Sequence, residues 1–141
     1  MNLLIGCGTM AVCLVIQCYV VTHLVRYISK REMNKTGTVS AYRDAMTLIT
    51  AMLVMMVGTF FQIAVWGELF VLLGEFENFP DAFYHSAVNY SSLGYGDIVM
   101  SPEHRLLGAL EAANGVLMFG LSTSLMYSVI RHQWTRNERD K

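Results

Sequence analysis

The sequence predicts an all-α membrane protein that crosses the bilayer three times, and its charge content is the first reason. Only 15% of the 141 residues are charged and 54% are apolar, against about 25% charged in an average soluble chain. The second reason is a pair of uncharged runs, residues 3–25 and 45–67, of 23 residues each, both longer than the roughly 20 that cross a hydrocarbon core. A third uncharged run, residues 112–130, has 19 residues, and residues 105–111 extend it as helix toward the interface. A net charge of -1 excludes a generally basic nucleic-acid binder, and three Cys cannot complete a disulfide framework. With two Pro and no polar low-complexity stretch, the chain reads as one compact unit whose expected surroundings are the lipid bilayer, with no nucleic-acid partner.

The first helix, residues 1–28, is read as an anchor. No basic residue precedes it, its apolar run exceeds the roughly 7–15 residues of a signal-peptide core, and no small-residue cleavage site follows. On it Cys7 and Cys18 share a face about 16 Å apart while Cys13 points about 120° away, so one helix cannot bring them to one ion, and they are small hydrophobes. A basic loop, residues 29–44, comes next, and residues 132–141 form a short basic tail. Nine of the ten Lys and Arg lie in or beside these two segments, and only Arg105 lies elsewhere. The positive-inside rule makes the loop and the C-terminus cytoplasmic and puts the N-terminus and residues 68–104 outside. That outer segment carries Glu68, Glu75, Glu77, Asp81, Asp97 and Glu103. Its field would concentrate cations at a mouth, although a solvated loop would have the same composition. Residues 26–44 suit either an amphipathic segment on anionic lipid or a solvated basic loop. Asn34-Lys35-Thr36 and Asn89-Tyr90-Ser91 match a glycosylation pattern, but the first is expected inside the cell and the second in a buried helix.

Between the second and third spans, residues 78–102 are too long for a turn and too polar for a span, so a re-entrant loop is expected. Asn78 or Asp81 can cap a helix starting near Pro80, which loses no donor in a first turn. After about two turns comes Ser91-Ser92-Leu93-Gly94-Tyr95-Gly96-Asp97. Two Gly separated by one residue open backbone angles closed to others, so that successive carbonyls can point one way. Bare backbone at membrane depth is tolerated only if buried or lining a water-filled path, and rings of carbonyls that replace a hydration shell pass K+.

At these residues the chain resembles the pore module of the tetrameric potassium channels, whose filter is usually written T-V-G-Y-G-D. Here it stands as Ser92-Leu93-Gly94-Tyr95-Gly96-Asp97, preceded by Phe83, Tyr84 and Ser86 and followed by Arg105, Glu111, Ala112, Gly115 and Gly120, in the places of the family's pore and inner helices. With its extra first helix the chain is similar to small bacterial ion channel proteins. The resemblance implies a pore module over residues 45–131, made of an outer helix 45–74, a pore helix 80–90, a filter 92–97 and an inner helix 105–131. It further implies a homotetramer in the cell membrane, K+ as the permeant ion and no organic cofactor. Carbonyls of Ser92, Leu93, Gly94 and Tyr95 would line the filter, with the Ser92 hydroxyl at the innermost site. Gly94 and Gly96 would supply the left-handed backbone. Tyr95 would brace the filter against Tyr84 or Trp66, and Asp97 would sit behind the outer mouth. Ser91-Ser92 replaces the common Thr pair, Leu93 replaces Val or Ile, and Asn89 stands where Thr is frequent. No carbonyl is lost, but Ser lacks the methyl that fixes Thr in one rotamer, so the inner site is expected to be looser.

In the third helix Val116, Phe119, Thr123 and Tyr127 fall on one face at 100° per residue; in the family's register this face lines the cavity, and otherwise it packs on a neighbour. Gly115 matches a hinge glycine or serves close helix contact. Glu68 and Glu111, near the outer ends of their helices, are functional candidates or merely interfacial; Glu111 could accept hydrogen bonds from the back of the pore helix. His85 is expected to pack within the pore helix. No nucleophile or metal set stands beside the acids, so an enzyme is not expected. There is no helix with Arg at every third position, and about ten residues follow the last span, so neither a voltage sensor nor a ligand-binding domain is expected in the chain. The expected function is passive K+ conduction; the alternatives are a poorly selective monovalent cation channel and a non-conducting accessory or scaffolding subunit.

Overall fold

A computed structural model describes residues 1–33 and 41–139. Four helices follow in order, α1 (Asn2–Met33), α2 (Ala41–Leu72), α3 (Phe79–Tyr90) and α4 (Arg105–Arg139), and there is no strand among the described residues. Three of the helices are long and apolar enough to cross a membrane, over Asn2–Lys30, Tyr42–Leu72 and Arg105–Arg136.

Each long helix runs past its apolar stretch. α1 continues beyond residue 28 to Met33, α2 begins at Ala41 instead of 45, and α4 runs past residue 131 through Arg139 into the stretch read as a tail. The physical reason is that Lys, Arg, Glu and Gln are good helix formers, so the end of an apolar run does not end a helix. Of the basic loop, residues 34–40 lie outside the described residues, and with them Lys35 and the Asn34-Lys35-Thr36 pattern.

The end of α2 has a cause in the backbone. Gly74 takes φ 75°, its N–H bonds to the Val71 carbonyl at 2.9 Å, and the Glu75 N–H bonds to the Phe70 carbonyl at 3.0 Å. This is the Schellman pattern, which needs one left-handed residue just past the helix. α2 therefore stops at Leu72, short of the expected 74. α3 starts on an N-cap: Asn78, at φ -138°, accepts the Asp81 N–H on its side chain at 3.0 Å, with Pro80 in the first turn.

α3 lies between α2 and α4 and packs on both, while α1 packs against α2 and α4. The core gathers Cys13, Ile63, Trp66, Phe70, Ala82, Tyr90, Leu107 and Met118, all buried, so that every helix contributes. A smaller cluster of Leu24, Ala51 and Met55 joins α1 to α2 toward the other end. In lipid such a core is held by close packing rather than by exclusion of water, which rewards small residues where backbones meet. Gly67 illustrates this, since a Cβ there would lie 3.2 Å from the Phe83 Cα. At the far end Arg136 pairs with Asp44 at 2.5 Å, and Gln133 Nε2 donates to the Asp44 carbonyl at 3.2 Å, fastening the end of α4 to the start of α2.

Candidate functional site

The loop that leaves α3 is fastened to it at both ends. On the near side the N–H groups of Ser92 and Leu93 bond to the carbonyls of Asn89 and Val88 at 2.8 and 3.0 Å. This second Schellman pattern puts Ser92, at φ 59°, in the left-handed region. On the far side the Tyr84 hydroxyl donates to Asp97 Oδ2 at 2.7 Å, and His85 Nδ1 meets the Ile98 carbonyl at 2.9 Å. The buried His85 ring is itself held by Asn89 at 2.8 Å and by the edge of Phe70. Two consecutive residues of α3 thus hold two consecutive residues of the loop.

Between these anchors the backbone alternates in handedness. Ser92, Gly94 and Gly96 have φ of 59°, 60° and 72°, while Leu93 and Tyr95 between them keep ordinary negative φ. Alternation of this kind lets successive rotations offset one another, a backbone course that glycine makes accessible. No N–H or hydroxyl among the described residues reaches the carbonyls of Ser92, Leu93, Gly94 or Tyr95. In the single chain the strip is open to its surroundings, with Leu93 55% and Tyr95 66% exposed. Asp97 closes it with a carboxyl that the Tyr84 hydrogen bond holds below the usual range.

Behind the strip α3 is tied to both long helices of its pocket. Ser86 Oγ donates to the Ile63 carbonyl at 2.8 Å on α2 and meets Glu111 Oε1 on α4. Both side chains are fully buried. Nearer the surface, Glu75 accepts the Ser101 N–H and hydroxyl at 2.7 and 2.6 Å and meets His104 Nδ1 at 2.6 Å, so the turn after α2 grips the turn before α4. Burial alone would raise the Glu75 carboxyl, but the Ser101 and His104 hydrogen bonds outweigh it and leave it lowered.

A family model described as an ion channel matches residues 49–132, which is more than half of the chain. The chain belongs to this ion channel family. No curated protein and no solved structure matches it. The matched stretch takes in most of α2, all of α3, the strip and most of α4, so among the described helices of this channel-family chain α1 is the one that lies wholly outside the family model.

Within the matched stretch the structure gathers some of the expected residues and separates others. Tyr84, Asp97 and residues 92–96 lie together at the strip, and Glu111 sits behind it on Ser86. Glu68, by contrast, is exposed on α2, so the two acids that the sequence paired as candidates have different surroundings. Tyr84 gives its hydroxyl to Asp97, not to Tyr95, and Trp66 is completely buried in the core. Val116, Phe119, Thr123 and Tyr127 form an exposed face on α4, with the Phe119 ring edge-on to Tyr90 at 5.8 Å. Gly115 meets Tyr90 as well: a Cβ there would overlap the Tyr90 carbonyl, so the residue has a close-contact role whether or not α4 bends there. The sequence reading passed over Gln17, Gln62 and Tyr90, which are buried and hydrogen-bonded to one another. A count of polar as well as charged residues inside the apolar runs would have marked the two Gln.

Proposed function

We propose that four copies of this chain assemble around a common axis into a channel that passes K+ down its gradient. In this reading α3 is a re-entrant pore helix, and residues 92–97 are the filter. Each copy supplies the carbonyls of Ser92, Leu93, Gly94 and Tyr95 to stacked rings of oxygens that replace the hydration shell of the ion. The observation that carries the reading is the alternation of handedness at Ser92, Gly94 and Gly96. In this reading the alternation turns the carbonyls to one side, no donor among the described residues reaches them, and a dehydrating cation is the partner such oxygens suit. One chain has one strip, so a ring requires several copies, and the four-fold number is the one the resemblance implies.

The other parts take supporting roles. Val116, Phe119, Thr123 and Tyr127, exposed in the single chain, line the cavity below the filter. Asp97 and the acidic residues between α2 and α4 draw cations to the outer mouth. The basic residues after α1 and at the end of α4 face the cytoplasm of a cell membrane, and the N-terminus faces outward. Conduction of this kind needs no enzymatic group and no organic cofactor.

The test is the reversal potential of the purified protein in planar bilayers under opposed K+ and Na+ gradients, with Gly94→Asp as control. A strongly K+-biased potential that the variant abolishes supports the reading. A reversal near zero with current would replace it by a poorly selective cation pore, for which the unbranched Ser92 gives a reason, and silence from a verified tetramer would favour an accessory subunit.

A further inference from the structure

One chain of hydrogen bonds crosses the whole helix bundle. The Tyr90 hydroxyl donates to Gln62 Oε1 at 2.8 Å, Gln62 Nε2 donates to Gln17 Oε1 at 2.7 Å, and Gln17 Nε2 donates to Ser122 Oγ at 3.3 Å. Ser122 Oγ then donates to the Met118 carbonyl at 2.9 Å. Every donor points the same way, from α3 through α2 and α1 to α4, so each bond polarises the next. Tyr90 and Gln62 are completely buried and Gln17 is 1% exposed.

Gln17 has a specific leverage in this chain. A carboxamide has two nearly equivalent settings about its last torsion, one turning the oxygen and the other the NH2 toward a given neighbour. Gln62 can accept from Tyr90 only while its NH2 faces away, and the Gln17 oxygen is the acceptor that holds the NH2 there. Without Gln17, Gln62 is free to turn over and present a donor to the Tyr90 hydroxyl, which then loses its acceptor. Tyr90 is the last residue of α3, two positions before the strip begins, and its carbonyl lies against Gly115.

From this we infer that Gln17, on the helix outside the family match, is a positioning residue for the filter: it locks the Gln62 carboxamide, and through Tyr90 it fixes the entry to residues 92–95. The inference rests on the channel reading for its effect on ions and on the hydrogen bonds alone for its effect on the backbone, so two readouts separate them.

The full-length protein is prepared as wild type, Gln17→Leu, Tyr90→Phe and the double variant. Hydrogen exchange is followed at the amides of residues 92–94, with α2 and α4 as internal reference, and K+ over Na+ permeability is taken from reversal potentials. Gln17→Leu is expected to speed exchange at 92–94 about fivefold, the scale of one neutral hydrogen bond, while the reference helices hold their rates. It is expected to lower the permeability ratio by a similar factor. Tyr90→Phe, which removes a single hydroxyl and keeps the ring, should do the same, and the double variant should add nothing further. Unchanged exchange at 92–94 in either single variant, or effects that multiply in the double variant, would overturn the inference. If Gln17→Leu fails to assemble, Tyr90→Phe decides by the same two readouts. A wild type without K+ preference would overturn the channel reading and leave the exchange result to decide this one.

Discussion

Gly115 on α4 lies so close to the Tyr90 carbonyl on α3 that an added Cβ would overlap it. The obstacle is backbone, which cannot swing aside as the end of a side chain would. Gly115→Ala would gain about 1 kcal/mol of helix propensity and lose about 1–3 kcal/mol to overpacking. A lower melting temperature in detergent is therefore expected, together with loss of current. A more stable variant would mean that α4 can draw back from Tyr90 at no cost.

Ser86 has one hydroxyl proton and two neighbours within reach, the Ile63 carbonyl and Glu111 Oε1. Glu111→Gln supplies an NH2 that can donate to Ser86 while Ser86 donates to Ile63, so it should cost little. Glu111→Leu puts an apolar group against the buried hydroxyl and leaves it only the Ile63 carbonyl, which should cost about 1 kcal/mol, the scale of one hydrogen bond. Thermal melts of the two variants, compared side by side, test the difference; equal loss would show that charge rather than hydrogen bonding matters there.

Glu75 gives the outer turns an acid dependence of known sign. Its carboxyl lies below its ordinary value of 4.5 because the hydrogen bonds from Ser101 and His104 outweigh the opposing effect of burial. A carboxyl lowered on folding contributes stability that is complete above the unfolded value and is lost as pH falls through the folded one. The melting temperature should therefore fall as the solution is acidified below 4.5, and Glu75→Gln should flatten that part of the profile. An unchanged profile in the variant would assign the acid sensitivity elsewhere.

Tyr84→Phe removes one exposed hydrogen bond to Asp97, so its effect on stability should be small. Its effect on the loop should be larger than its effect on the fold: exchange at residues 96–98 is expected to rise while α3 keeps its protection. Asp97→Asn, which weakens the same bond, should act in the same direction, and the two changes together should be less than additive.

Much of this arrangement was legible in the sequence, for reasons that differ from element to element. The three apolar helices follow from runs without charge, because an unpaired charge in lipid is costly. The N-cap at Asn78 and the left-handed Gly94 and Gly96 follow from local chemistry, an oxygen acceptor beside Pro80 and two residues without Cβ. Ser92 was not legible as a left-handed residue, since the helix cap that requires it depends on where α3 ends. The ties from Glu75 to Ser101 and from His85 to Ile98 join positions far apart in the chain, and no periodicity reports them. Gln17 and Gln62 stood inside runs searched for charge alone.

The alternation at residues 92–96 also gives the strip a parity. Its conformational repeat is two residues, so its length can change without loss of phase only in twos, as a one-residue slip in a strand exchanges its faces. One residue inserted after Gly94 would either put Tyr95 in a left-handed slot, at a cost of about 1–2 kcal/mol, or turn every later carbonyl to the opposite side. A Leu-Gly pair inserted at the same point would keep the phase and add two oxygens to the row. Deletions obey the same even count, so this part of the chain can be edited in pairs of residues but not one at a time.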